Sequence, residues 1–294
     1  MTKSLLNDNY NASEIEVLEG LDPVRHRPGM YIGGIDNNAL HHLAIEIIDN
    51  SMDEVVAKHA TIINVELCDD NTIIISDNGR GIPVDNHPKF KNKSALEIIM
   101  TTLHSGAKFS NRNYKTSGGL HGVGASVVNA LSSFLKVEVV RSGELYTQEF
   151  SRGVPTTKLI KINSNQKSNG TTISFKPDKQ IFGDDNLLSP DKLFKILEYK
   201  AYLFGGVEIN WKCDSNLIKD NSKIPNLKKL CYKDGISDYI EFKTSKVPVF
   251  TSSRFHGTVK IEDETVEWVI AWLSNNEISF IETFCNTVPT PLGG

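Results

Sequence analysis

From Leu40 to Ala60 the apolar residues Leu43, Ala44, Ile47, Ile48, Met52, Val55 and Val56 return at three- and four-residue spacing, the period of an amphipathic helix. Its opposite face carries His42, Glu46, Asn50 and Asp53. Two β-branched runs, Thr61 to Leu67 and Thr72 to Ser76, are joined by Asp69-Asp70-Asn71 and predict a hairpin, which ends in the loop Asp77-Asn78-Gly79-Arg80-Gly81-Ile82-Pro83. Ser94 and Glu97 form a capping-box pattern ahead of Ile98, Ile99 and Leu103, so a second helix is expected before Gly106.

The pattern then breaks. Residues 105–119 are rich in Ser, Gly, Asn and Lys and lack apolar periodicity, which suggests a lid; they lead through a glycine-rich string into a helix at 125–131. Strands are expected at 135–141, 145–151, 157–162 and 171–176, a helix from Ser189-Pro190 to about Phe204, and a strand at 207–211. The Lys- and Asn-rich stretch 212–230 reads as a boundary. Beyond it a short helix near 235–242 precedes strands around 257–262, 265–274 and 278–285. Helices segregated from a mainly antiparallel sheet predict an α+β sandwich over residues 1–228, followed at 229–294 by a second, incomplete α+β domain.

Composition narrows the function classes. With 39% hydrophobic and 23% charged residues the chain is ordinary for a globular protein, and its formal net charge of -4 argues against a surface built mainly to neutralise phosphates. Cys68, Cys213, Cys231 and Cys285 show no CxxC spacing, so neither a zinc site nor a disulfide framework is suggested. The polar N-terminus and the absence of a long apolar run predict a cytoplasmic protein with no membrane partner.

Four constellations carry chemistry. Glu46 and Asn50 lie one helical turn apart and share a face: the Asn oxygen suits Mg²⁺, Glu46 could take a proton from an attacking water, and His42, a turn earlier, could orient that Glu. A solvated polar face would look the same. Asp77 follows three isoleucines, so its carboxylate needs donors; the exocyclic amine of adenine would serve, against an apolar wall from Ile82 and Pro83. An ordinary Asp-Asn-Gly turn is the alternative. In Ser117 to Gly124, the glycines Gly118, Gly119, Gly122 and Gly124 let backbone amides approach an anion at a helix start, although a glycine hinge before a packed helix also fits. Lys108, Tyr114 and Lys115 flank that string. Gly170-Thr171-Thr172 opens a strand, and Thr171 could bond a buried carboxylate or a water.

In this order the four motifs resemble those of the superfamily that unites gyrase, Hsp90, histidine kinases and MutL (the GHKL, or Bergerat, ATPases). The longer strings at 16–34, 40–54 and 114–132 resemble the B subunits of bacterial type IIA topoisomerases, and 284–294 resembles the topoisomerase IV branch more than the gyrase branch. The resemblance implies a GHKL α/β sandwich with an N-terminal dimerisation arm, then part of a transducer domain of the ribosomal S5 domain 2-like type. It implies ATP and Mg²⁺ as cofactors, Glu46 as general base, His42 as its orienting partner and Asn50 as metal ligand. Asp77 and Thr171 would bind adenine, Asp53, Gly79, Ile82 and Pro83 would line its pocket, and Arg80 would pair with Glu54 at the mouth. Lys108, Tyr114 and the backbone of Leu120, His121, Gly122, Val123 and Gly124 would hold phosphates, and Tyr10 would reach the partner subunit's nucleotide. Implied partners are a second copy in an ATP-dependent homodimer, DNA through the full enzyme, the A subunit of topoisomerase IV or of gyrase, and ATP-site inhibitors of the aminocoumarin type.

The family's transducer carries a Gln-Thr-Lys loop whose lysine meets the γ-phosphate, and the sequence reaches Gly294 before any such loop. Acidic toprim motifs are absent as well. The expectation is therefore a fragment that serves the ATP-driven clamp step with weak turnover; a module that binds ATP or an inhibitor without turnover is the alternative, and a mismatch-repair ATPase or a chaperone is a distant third.

Overall fold

The computed structural model describes residues 17–105, 124–162, 168–250, 254–262, 264–274, 279–285 and 288–290. Its main body is a sheet laid against helices. Alternation builds the sheet: in β1 (Ile62–Leu67) the buried residues are Ile63, Val65 and Leu67, in β2 (Ile73–Asp77) Ile73 and Ile75, in β5 (Ser132–Arg141) Leu135, Val137 and Val139, and in β9 (Gly170–Pro177) Ile173 and Phe175. The other face is polar, and Asn64 Nδ2 donates to Ser76 Oγ at 3.0 Å while Asn210 Nδ2 donates to Asn64 Oδ1 at 3.1 Å. A sheet with one apolar face must be covered on that side.

The cover comes chiefly from α3 (Asn37–Val56), which buries Leu40, Leu43, Ala44, Ile47, Ile48, Met52 and Val55. Asp36 caps it, accepting from the Ala39 amide at 2.9 Å. The helix α4 (Ala95–Thr101) packs on α5 (Gly124–Ala130), which packs on α3; after the single turn α6 (Lys179–Phe182), α7 (Pro190–Leu203) packs on β10 (Glu208–Cys213), where Phe194 meets Trp211 edge-on at 6.0 Å. With β6 (Glu144–Ser151), β7 (Val154–Pro155) and β11 (Leu227–Leu230), the strand order is β11-β10-β1-β2-β9-β5-β6-β7, and β8 (Ile160–Ile162) also pairs with β6. Every pair is antiparallel except β1–β10. The expected α+β sandwich with a mainly antiparallel sheet is what the chain forms.

Several local expectations are corrected. The stretch 212–230 carries β11, whose Lys228 and Lys229 suit a strand with one open edge; the division drawn at residue 228 falls inside that strand. Two short helices, α1 (Asp22–His26) and α2 (Gly29–Ile32), and the polar ribbon β3–β4 (Asn86–His87 with Phe90–Ser94) were not foreseen, because segments this short or this polar have no apolar period to read. The strand expected at 278–285 is reduced to β14 (Phe284–Cys285), which pairs with β15 (Val288–Pro289). Between these and the sheet lie α8 (Ile236–Thr244) and the hairpin of β12 (Phe255–Ile261) with β13 (Glu264–Ile270).

Candidate functional site

The candidate site is organised along α3, whose apolar stripe faces the sheet and leaves His42, Glu46, Asn50 and Glu54 on the other side. At its N-terminal half, His42 Nε2 lies 3.3 Å from Glu46 Oε1, and the hydrogen bond to that carboxylate, offset in part by burial, raises the His42 pKa above its ordinary 6.5. Glu46 packs against the first residue of α5. A Cβ at Gly124 would overlap Glu46 Oε2, so only glycine lets the carboxylate approach the backbone there.

The neighbouring His41 differs. It is buried, accepts from the Ser189 amide at Nε2 (2.8 Å) and has Nδ1 2.6 Å from the Asn37 carbonyl, which assigns the proton to Nδ1 and leaves a neutral ring. Burial holds its pKa below 6.5. His41 therefore joins α3 to the start of α7, and His42 is the histidine left to the site.

Toward the C-terminal half of α3 stands Asp77, the last residue of β2. Its Oδ1 accepts from the Gly79 amide at 2.9 Å and its Oδ2 from the Ser51 hydroxyl at 3.0 Å. Burial outweighs these donors and pushes the Asp77 pKa from 3.8 up to about 6, with Glu54 adding to the rise. In register with Asp77 on β9 is Thr171, whose Oγ1 accepts from the Ile82 amide at 3.3 Å. This bond ties the loop after β2 to the neighbouring strand. A Cβ at Gly170 would overlap the Asp77 carbonyl oxygen, which explains the glycine before Thr171.

Arg80 grips Glu54 in a forked pair, Nη2 to Oε1 at 2.6 Å and Nε to Oε2 at 3.1 Å, with the Arg80 amide also donating to Oε2 at 3.0 Å. Ile82 packs against the core, Pro83 is exposed, and Asp53 is buried on α3. From Ser51, opposite Asp77, to Glu46, opposite Gly124, is five residues, about 7.5 Å of helix. A ligand that meets both ends would lie along α3.

The structure thus brings together His42, Glu46 and Gly124 at one end and Glu54, Asp77, Gly79, Arg80, Ile82 and Thr171 at the other, with Asn50 on the helix between. Tyr10, Lys108, Tyr114, Leu120, His121, Gly122 and Val123 lie outside the described residues. One residue, Ser51, escaped the sequence reading, and the reason for Gly170 was not visible in it. Ser51 could have been flagged as a hydroxyl set among Ile47, Ile48, Met52 and Val55; the need for Gly170 depends on a strand pairing no local pattern reveals.

For a divalent cation, the described residues hold no group of three or more His, Cys, Asp or Glu that could cage one. A single amide oxygen at Asn50 matches Mg²⁺ bound chiefly by phosphate oxygens and waters.

Comparison with known proteins identifies the family. The family described as histidine kinase-, DNA gyrase B-, and HSP90-like ATPase matches residues 35–181. Over 292 residues the chain is 50% identical to the B subunit of DNA topoisomerase 4 from Rickettsia bellii (strain RML369-C), covering 99% of this chain and 44% of that protein. The protein of the same name from Bartonella bacilliformis is 50% identical over 290 residues, 98% of this chain and 42% of its own length. The chain thus spans less than half the length of these relatives. Among solved structures, the 43K ATPase domain of Thermus thermophilus gyrase B in complex with an aminocoumarin superposes with a TM-score of 0.77 at 35% identity, over 92% of this chain and 66% of that one.

Proposed function

Because this chain belongs to the histidine kinase-, DNA gyrase B- and HSP90-like ATPases, we propose that it binds ATP with Mg²⁺ along α3 and hydrolyses it as the ATPase module of a topoisomerase IV B subunit. The observation that carries the reading is that α3 sets a His42–Glu46 dyad against Gly124 and, five residues further along the helix, sets Ser51 against a buried carboxylate, Asp77 of β2. The relatives' name favours topoisomerase IV over gyrase.

In this reading Asp77 accepts the exocyclic amine of adenine, and Asp53, Gly79, Ile82 and Pro83 line the base pocket. Arg80 is held by Glu54 at the mouth, and Thr171 fixes the loop and shares a water with Asp77. Asn50 would hold Mg²⁺, which would supply positive charge to offset that of the phosphates. Lys108, Tyr114 and the backbone of Leu120 to Gly124 complete the phosphate site, and Tyr10 serves the partner subunit's nucleotide.

Glu46 accepts a proton from water as its oxygen attacks the γ-phosphorus, the bond from that phosphorus to the bridging oxygen breaks, and ADP and phosphate leave. His42, protonated below its raised pKa, donates to Glu46 and holds the carboxylate in place. Nucleotide-dependent dimerisation would close a gate over DNA, with an A subunit supplying strand cleavage in the cytoplasm; aminocoumarins would compete at the base site, and residues 229–294 would belong to a transducer domain. Among the described residues no helix is long and apolar enough to cross a membrane.

The test pairs two substitutions. Asp77→Asn should lower affinity for a non-hydrolysable ATP analogue, whereas Glu46→Gln should reduce phosphate release by roughly 10²–10⁴ and keep that affinity within a few-fold. Equal losses of binding and turnover in both variants would overturn the division of roles.

A further inference from the structure

We propose that Ser51 is a positioning residue for nucleotide recognition: its hydroxyl, donated to Asp77 Oδ2 at 3.0 Å, fixes the rotation of that carboxylate and keeps it available as a charged acceptor. The inference rests on the proposed ATP site. Ser51 is 4% exposed on the apolar face of α3. A buried hydroxyl without a partner is unfavourable, so the bond to Asp77 satisfies both groups. Gly79 donates to the other oxygen, Oδ1, at 2.9 Å. One donor can follow a carboxylate as it turns about its last bond; two donors on different oxygens hold it in one plane. Each oxygen keeps a second lone pair for a ligand.

The same bond bears on charge. The groups that face Asp77 are Glu54 of α3, whose negative charge opposes ionisation, and Arg80 of the following loop, which is engaged by Glu54. Asp53 lies further along α3. The paired strands place uncharged Ile63 and Thr171 beside it. Ser51 and the backbone amides of Gly79 and Thr171 thus work against burial and Glu54, which raise the Asp77 pKa to about 6. Removing the hydroxyl leaves more of the carboxyl protonated at neutral pH, and the site loses part of the acceptor that reads the base.

The experiment measures affinity for a non-hydrolysable ATP analogue with Mg²⁺ by calorimetry between pH 5.5 and 8.5. Four proteins are compared: the parent chain, Ser51→Ala, Asp77→Asn, and the double variant. Titration of His42 and of the triphosphate is common to all four, so Asp77→Asn supplies the background. Relative to it, the parent's affinity should fall as pH drops through about 6. In Ser51→Ala that fall should begin about one pH unit higher, so affinity drops about twofold at pH 7, roughly five- to tenfold at pH 5.5, and hardly at all at pH 8.5. Adding Ser51→Ala to Asp77→Asn should leave the pH profile unchanged. A Ser51→Ala loss equal at every pH, or no loss, would overturn the inference for Ser51 alone. Full affinity in Asp77→Asn would instead remove Asp77 from the site and sink the functional reading beneath it.

Discussion

Asp77→Asn should make the protein melt at a higher temperature while binding nucleotide more weakly. The folded chain raises the Asp77 pKa from 3.8 to about 6. At about 1.4 kcal/mol for each pH unit, ionising this group in the folded state disfavours folding by on the order of 3 kcal/mol at neutral pH. The sign follows from proton counts. Between 3.8 and 6 the folded state binds more protons than the unfolded one, so the parent loses stability as pH rises through that window. An amide at the same position carries no such penalty. Its oxygen can still accept from the Gly79 amide, and the Ser51 hydroxyl can rotate to accept from the new Nδ2. Imperfect geometry at these two bonds removes part of the gain, which leaves about 1–2 kcal/mol, or roughly 2–6 °C in Tm at pH 7.5. Meanwhile loss of a charged acceptor should weaken binding of an ATP analogue by about 1.5–3 kcal/mol. Thermal melts at pH 7.5, 6 and 5, beside calorimetric titration, test both halves. The stability gain should shrink as pH is lowered. A destabilised Asp77→Asn protein, or a gain independent of pH, would refute the claim that burial of a charge strains this site.

Glu46→Gln should hold analogue affinity within a few-fold and reduce phosphate release by roughly 10²–10⁴, as loss of a general base does. In the same variant the His42 imidazole, freed of its carboxylate partner, should titrate nearer 6.5 by NMR than in the parent; an unchanged value would separate the two side chains. Gly170→Ala sets a methyl against the Asp77 carbonyl and should destabilise by about 1–3 kcal/mol in urea, with a loss of analogue affinity that a change of surface residue would not produce. Arg25 donates to the Ala130 carbonyl at the end of α5 (2.7 Å) and to buried Asp178 (2.8 Å), so Arg25→Ala should destabilise by about 1–3 kcal/mol. Although burial pushes it up, the Asp178 carboxyl is held below its usual range by Arg152 and Arg25, so this contribution is present at neutral pH and fades as pH falls below 3.8.

Much of this site was legible because it sits on a long helix. A helix the length of α3 states its own phase: once Leu43, Ile47 and Ile48 are assigned to the core, His42, Glu46 and Asn50 must share the other face. The alternation in β1 and β2 likewise places Asp77 at a strand end. Illegible were the partners that reach the site from elsewhere in the chain. Ser51 reads as an ordinary polar residue until α3 is laid across β2, and Gly170 has no visible purpose until β9 pairs with β2 in a register that sets Thr171 beside Asp77. Edge strand β11 hid for another reason: its lysines serve an edge, so the sequence shows only charge.

The arrangement of α3 also explains how the chain tolerates a strained charge. Asp49, between Glu46 and Asn50 in sequence, pairs with the nearly buried Lys200 of α7 at 2.5 Å, and Glu54 pairs with Arg80 at 2.6 Å. His41 adds the bond to the Ser189 amide. These contacts fix the helix along its length by means that do not involve Asp77 or Glu46. A carboxylate can then be kept ionised in a desolvated position because the scaffold that holds it gets its stability elsewhere, and relaxation of α3 toward water, which would lower the Asp77 pKa, is opposed at both ends. Preorganisation of this kind is what a ligand amine would meet: an acceptor already stripped of water and held in plane, whose unfavourable charge the ligand relieves on binding.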